Sequence, residues 1–495
     1  MFRNVMPRYE ILTDDALQRI ERGWMRIVQE IGIAFDHPEA LERLRDAGQV
    51  VDGDVVRFDP DFVLEHCARA PSEFTLRARN PAHSVHLGGD RMVFAGCAGM
   101  PFYREGDIRR DATLADLERM VRLVQAAPEL DLAAMPTVEP NDTPLDSRHL
   151  DLALAAATLT DKPFYFGALS RENVEDSIAM VRLTFGDTGV DRAPLAAATD
   201  GAGGPSLPVT SSLFNINVNS PLRYDERMLE GLLAAAAAGQ GCVVTPFLLM
   251  GAMAPVTTAA ALAQQLAEAL TGVALAQLVR PGVPVVLGSF LSTIDMQSGS
   301  PAFGGPESAK GLFASGQLAR RYRLPWRSGG GGLTSSQTVD AQAAYESQNT
   351  MTAAFLAGAN LLVHSAGWLE SGLVASPDKF ALDLEILRVL QAQFTPIGVE
   401  DEDLAFDAHQ EVGQGGHFLG AAHTMTRFRT CFYRSPLSST ENFERWTARG
   451  ARDTTARAGE QWRALLDGYE QPDLDVDIRG RLQEYVTRRR AELGD

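Results

Sequence analysis

From about Thr113 onward, short apolar runs and longer helical stretches take turns along the chain. The runs are LDLAAMPTV, PFYFGAL, LFNINVN, CVVTPFLLM, PVVLGSF, LPWRSGG and ANLLVHSAG, with a weaker one near HQEVG or HFLGA. Runs that are apolar at nearly every position fit parallel strands covered on both faces. Between them lie amphipathic or Ala-rich stretches at 145–159, 171–186, 224–239, 257–279, 306–321, 338–357 and 377–392, with Glu441 to Glu460 as an eighth. Eight strand–helix units over about 350 residues predict a (β/α)₈ barrel. A doubly wound open sheet shares this alternation and stays open as the alternative. No GxGxxG follows the first strand and no GxxxxGK[ST] occurs, so the usual nucleotide loops are missing.

The residues before this alternation read differently. Thr13 can cap a helix whose first turn holds Asp14 and Asp15, and Leu17, Ile20, Trp24, Ile27, Val28 and Ile31 follow at helical spacing up to Gly32. Short alternating pieces such as VVRF and FTLRAR come next, which suggests a small α+β cap. Thr113 with Asp116 marks a further helix start. The expected division is a cap over 1–110, the barrel over 111–460 and a C-terminal helical extension over 461–495.

Composition narrows the function classes. With 45% hydrophobic and 22% charged residues the chain has the balance of a folded protein. Its 64 acidic and 45 basic residues leave a net charge of −19, which disfavours nucleic-acid backbones. Cys67, Cys97, Cys242 and Cys431 are scattered with no CxxC pair, so neither a disulfide framework nor a structural zinc site is expected. No signal peptide and no bilayer-spanning apolar run is visible, so the cytoplasm is the expected location and no membrane partner is expected.

Barrel enzymes build their sites at the C-terminal ends of strands. That rule selects Phe102 and Tyr103 in GCAGMPFYREG, Trp326 and Arg327 in LPWRSGGGGLTSS, His364 in LLVHSAG, and Trp368 and Glu370 in GWLESGL as candidate substrate-binding residues. Asn215, Asn217 and Asn219 alternate along one strand and point the same way. Tyr and Trp beside strands also serve as packing, and an Asn ladder also forms a satisfied polar layer. The glycines after Arg327 allow close approach to backbone. There is no HExxH, no His/Cys cluster and no GxSxG, so no bound metal and no serine nucleophile is expected. Asp407-Ala-His409 starts like the cobalamin motif DxHxxG, but Val412 stands at the glycine position.

Four stretches, taken together, carry a family resemblance: ILTDDALQRIERGWMRIVQEIGIAF, VDAQAAYESQ, AGANLLVHSAGWLESGL and EVGQGGHFLGAAHTMTRFR. On these the chain resembles the trimethylamine:corrinoid methyltransferase family over nearly its whole length, with Gln414 where a proline is common. The resemblance implies a barrel enzyme that moves a methyl group from a methylated amine to the Co(I) of a separate corrinoid (cobalamin) protein. No pyrrolysine is present, which implies the branch acting on quaternary amines such as glycine betaine, related betaines or carnitine. The enzyme would bind no cofactor of its own and need no catalytic acid, and a homo-oligomer is expected. Tyr103, Phe102, Trp326 and Trp368 can flank an ammonium, and Arg327 can fork a carboxylate. A lyase, a folate-using methyltransferase and a non-catalytic betaine-binding or regulatory barrel remain alternatives.

Overall fold

The computed structural model describes residues 1–134, 136–187 and 210–494. Eight parallel strands close on themselves: β1 (Arg91–Phe94), β2 (Ala133–Ala134), β3 (Phe164–Gly167), β4 (Ser212–Val218), β5 (Gly241–Met250), β6 (Val285–Gly288), β7 (Trp326–Ser328) and β8 (Leu361–Leu362). Each pairs with the next in sequence. Closure comes from β8 against β1, with Leu361 opposite Val93, and from a parallel bridge between Ala95 and Leu132. The (β/α)₈ barrel expected from the alternation is therefore the fold, and the open sheet is excluded.

Each strand is followed by its helix: α1 (Leu114–Ala126), α2 (Arg148–Leu159), α3 (Arg171–Thr184), α4 (Glu226–Ala237), α5 (Thr258–Val279), α6 (Pro306–Arg321), α7 (Ala341–Ala357) and α8 (Pro377–Gln393). Thr113 and Asp116 form the capping box that starts α1, satisfying backbone N–H groups at both positions.

One strand lies elsewhere than the sequence suggested. The ring starts at Arg91–Phe94, inside the stretch read as cap, where four residues of RMVF were too short to stand out. The stretches HQEVG and HFLGA form no strand, since Phe406–Val412 is an α-helix and Phe418–Gly420 a 3₁₀ turn. Their apolar residues are isolated among Asp, Gln, Glu and Gly, which gives a strand nothing to bury. The helix expected from Glu441 to Glu460 is split into Phe443–Ala448 and Thr454–Asp467 around Gly450.

The barrel is filled by Val93, Leu132, Ala134, Tyr165, Leu213, Val243, Val286, Leu361 and Val363. The same cluster includes Phe74, Leu76, Val85 and Leu87 from the antiparallel pair Glu73–Leu76 and Val85–Gly88, which plugs the end where the strands begin. The other end is left for chemistry. α5 is apolar on all sides because it lies between the barrel and the cap helices Asp14–Arg26 and Pro60–Cys67, so its hydropathy marks a core helix. In that cap helix Thr13 accepts the Ala16 N–H and Leu17, Ile20 and Trp24 are buried.

Candidate active site

A cavity of about 540 Å³ opens at the C-terminal end of the strands. Arg327, His364, Trp368, Tyr165, Asn215, Asn217, Thr245, Phe247, Phe290 and Glu139 are among its lining residues.

Strand alternation puts Arg327 there. Val286 of β6 and Leu361 of β8 face the barrel interior, and β7 turns a guanidinium into its cavity. Its neighbour Trp326 must then face the helix layer. There the indole is buried against Gly316 of α6 and donates to the Ser289 hydroxyl at 2.9 Å. Trp326 is thus barrel packing and does not line the cavity.

Arg327 Nη1 donates to the Ser289 carbonyl at 3.2 Å, its charge sits 5.4 Å from the Phe290 ring centre, and Nε has no partner. His364, just past β8, lies beside it: Arg327 Nη2 and His364 Nε2 are 3.4 Å apart. The other imidazole nitrogen also faces a donor. A backbone N–H, that of Ala98, points at Nδ1 at 3.3 Å and can only donate. Burial, and then the charge of Arg327, hold the imidazole well below its ordinary pKa, so it is neutral and has one lone-pair nitrogen for the two donors that face it. One of these donors is therefore left without the ring as acceptor, while Arg327 also interacts with the Tyr165 hydroxyl. His364 also has a φ of 59°, a strained backbone for a residue with a Cβ.

Aromatic rings form the next wall. Trp368 meets His364 edge-on at 4.6 Å between centroids, Phe290 lies 6.1 Å from Trp368, and Phe247 lies 4.8 Å from Phe290. The Trp368 indole is fixed by donation to the Thr334 carbonyl at 3.1 Å. Opposite runs a polar ladder. The Tyr165 hydroxyl and Thr245 Oγ1 both donate to Asn215 Oδ1, at 3.0 and 3.1 Å, and Asn215 Nδ2 donates to Asn217 Oδ1 at 2.7 Å. Burial raises the Glu139 carboxyl pKa, and Arg148 at 3.4 Å opposes the rise. His149 in the wall is held by Asp176 at 2.9 Å, which also binds Arg489 of the C-terminal helix Val476–Leu493.

Three other sequence candidates fall outside the cavity. Tyr103 is fully buried in the core with its hydroxyl accepting from Arg119 at 3.1 Å. Phe102, on the same strand Phe102–Glu105, is covered by the Arg109 guanidinium 3.9 Å from its centroid. Glu370 is taken by Arg109, with Nε 2.9 Å from Oε2. Both residues pair with a hairpin, Ile108–Asp111, that the sequence reading did not separate from the loop. Phe290 and Tyr165 were missed. Each follows or sits within an apolar strand run, and alternation from Arg327-type positions is the signal that finds them.

Comparison with known proteins agrees with this architecture. The family described as trimethylamine methyltransferase matches residues 1–494. The chain is 40% identical to the glycine betaine methyltransferase of Desulfitobacterium hafniense (strain Y51), over 99% of each chain. It is 28% identical to the proline betaine:corrinoid methyltransferase of Eubacterium limosum, over 93% of this chain and 94% of the relative. In fold it is similar to the monomethylamine methyltransferase of Methanosarcina barkeri, with a TM-score of 0.51 at 11% identity, covering 94% of this chain and 90% of the other. An end-to-end match on a barrel of this kind has one consequence: the chain belongs to the trimethylamine methyltransferase family.

Proposed function

We propose that this methyltransferase takes a methyl group from a small betaine, glycine betaine foremost, and delivers it to the Co(I) of a separate corrinoid protein. The observation that carries this reading is the Arg327 guanidinium at the cavity wall, one of two donors that compete for a single lone pair on His364. A carboxylate placed there accepts from the guanidinium and relieves that competition. Beside it, Trp368 and Phe290 offer ring faces to a methylated ammonium, worth about 0.5–2 kcal/mol each depending on desolvation. One end of the cavity thus suits an anion and the adjoining wall a cation.

The reduced corrinoid supplies the nucleophile. The C–N bond breaks with its electron pair left on nitrogen, so the product is a neutral amine and no proton is required from this chain. What remains for the protein is to fix the carboxylate, keep the ammonium against the rings and hold one methyl toward the open end, which is catalysis by orientation. A reducing cytoplasm suits a Co(I) acceptor and the free thiols of Cys67, Cys97, Cys242 and Cys431.

The test uses the purified chain, a corrinoid protein reduced to Co(I), and either glycine betaine or trimethylamine. The cobalt absorption spectrum and the demethylated amine are followed together. Glycine betaine is expected to react, and trimethylamine, which has no carboxylate for the guanidinium, to be much slower. Equal rates would remove the carboxylate reading, and no transfer from any betaine to verified Co(I) would remove the activity.

A further inference from the structure

Of the stretches that carry the family resemblance, VDAQAAYESQ (339–348) runs into α7 and lines no part of the cavity. One residue in it nevertheless reaches the loop behind Arg327. Glu346, half-buried, sets its carboxylate against Thr334 and Ser335. Its Oε2 accepts the Thr334 hydroxyl at 2.5 Å and the Ser335 N–H at 2.9 Å, and its Oε1 accepts from Gln342 Nε2 at 3.0 Å. Both carboxylate oxygens thus work inside the protein. The fit is close on the other side of the residue too. Gly304 lies on the Glu346 stem at a φ of 80°, and a Cβ there would come within 2.3 Å of Glu346 Cβ. Asn349, farther along α7, donates to the Gly304 carbonyl at 2.8 Å.

The two residues that Glu346 ties are the ones that hold the ring wall. The Thr334 carbonyl accepts the Trp368 indole N–H, and it also accepts the Ser371 N–H at 3.1 Å. Among the described residues no second acceptor meets that indole. Ser335 Oγ accepts the Phe303 N–H at 2.8 Å. Phe303 in turn meets Trp368 edge-on, at 5.5 Å between centroids and 80° between planes, and meets Phe290 at 5.5 Å and 90°. Trp368 and Phe290 line the cavity, and the buried Phe303 packs on both without lining it.

We propose that Glu346 is the positioning residue of the ammonium-binding wall. Acting through Thr334 and Ser335, it fixes Trp368 and Phe303 so that Trp368 and Phe290 turn their faces to the cation. The ammonium in this statement rests on the proposed function, whereas the placement of the rings does not. A cation is attracted by a ring face and not by a ring edge, while contact between methyl groups and a ring tolerates tilt. Glu346 therefore governs the preference for a charged trimethyl group over an uncharged one of the same shape. Direct attraction between the Glu346 carboxylate and the ammonium is the competing account. It depends on the charge of residue 346 and not on the acceptor that residue offers to Thr334 and Ser335.

The measurement is calorimetric binding to the full chain, without corrinoid, of glycine betaine and of tert-butylacetate, its isostere with carbon in place of the ammonium nitrogen. The native chain is expected to prefer the betaine. Glu346→Ala should lower that preference about tenfold. Thr334→Val, which deletes one tie and keeps the anchoring carbonyl, should lower it in the same direction. Glu346→Gln, which keeps an acceptor oxygen without the charge, should recover most of it. Fluorotryptophan incorporation gives a reading that needs no ligand. The fluorine resonance of Trp368, assigned with Trp368→Phe, should shift or broaden in Glu346→Ala and return in Glu346→Gln, while that of Trp326 stays in place. If the native chain binds neither compound, or does not prefer the betaine, the betaine reading falls and the fluorine resonance alone decides the placement of the ring. An unmoved Trp368 resonance in Glu346→Ala would overturn the proposal. So would a native preference retained in both Glu346→Ala and Thr334→Val, with the two ligands weakening together. A preference in Glu346→Gln as low as in Glu346→Ala would overturn it as well, by assigning the effect to charge.

Discussion

Arg327 lines the cavity between Gly288 of β6 and Leu361 of β8, and its surroundings satisfy it only in part. On the proposed betaine reading, Arg327→Ala removes a charge-assisted fork from the carboxylate, about 1.5–3 kcal/mol, or roughly ten- to a hundredfold in kcat/KM. Arg327→Lys is expected to recover part of this, since an ammonium lacks the planar fork. Betaine turnover measured beside the melting temperature checks both, and a lower Tm with native kcat/KM would assign the residue to the barrel's structure alone. His364 gives a pH signature. Its folded pKa is held below the ordinary 6.5, so beneath that pH the unfolded chain binds a proton that the folded chain refuses. Stability carried by this group is complete above pH 6.5 and declines on acidification, by up to about 1.4 kcal/mol per pH unit. His364→Gln should remove that slope, so denaturant titrations of the two proteins should converge as the pH drops from 7 toward 5. Arg327 and His364 were legible in the sequence because each interrupts or ends an apolar run. Trp326 was misassigned because a neighbour in the sequence lies on the opposite face of a strand.

The loops after β7 and β8 carry this pair, and α8 holds the loops. Lys379 and Asp383, both fully buried on α8, form an ion pair. Lys379 Nζ also donates to the Gly332 carbonyl at 3.2 Å and to Ser347 Oγ at 2.8 Å, and Asp383 Oδ2 accepts the Gly367 N–H at 2.9 Å. One pair thereby fastens two adjacent loops. The glycine run after Arg327, expected to admit a ligand, serves this packing instead. A Cβ on Gly332 would lie 2.7 Å from the Asp383 carboxyl carbon, and one on Gly331 2.9 Å from Ser365 Cα. Asp383→Asn is expected to cost about 3–5 kcal/mol in urea unfolding, because it strands a buried ammonium. Lys379→Met with Asp383→Leu should regain much of that stability without regaining turnover, since neither loop is then tied. Recovery of kcat/KM in the double variant would show that the pair does not position the site. Among the elements, long strands and helices were legible from their periodicity. β1 was not, because a four-residue strand is specified by the ring it completes more than by its own sequence.

At the scale of the molecule, the cap plugs the barrel with one hairpin and covers α5 with its helices. The N-terminal residues reach the closing seam as well. Phe2 and Arg3 pair with β1, Asn4 Nδ2 donates to the Phe355 carbonyl at 2.8 Å, and the Tyr9 N–H donates to the Leu356 carbonyl at 2.9 Å. The helix Thr454–Asp467 packs over α8 and α1, on the outside of the same seam. The pairing of Val93 with Leu361 has a consequence for biosynthesis. Until Leu361 and Leu362 have left the ribosome, β1 has no neighbour on one side and the growing sheet keeps two open edges. Contacts so distant along the chain form slowly, and open edges invite pairing with other nascent chains. The cell must therefore shelter more than two-thirds of this polypeptide before its last barrel strand arrives to close the ring.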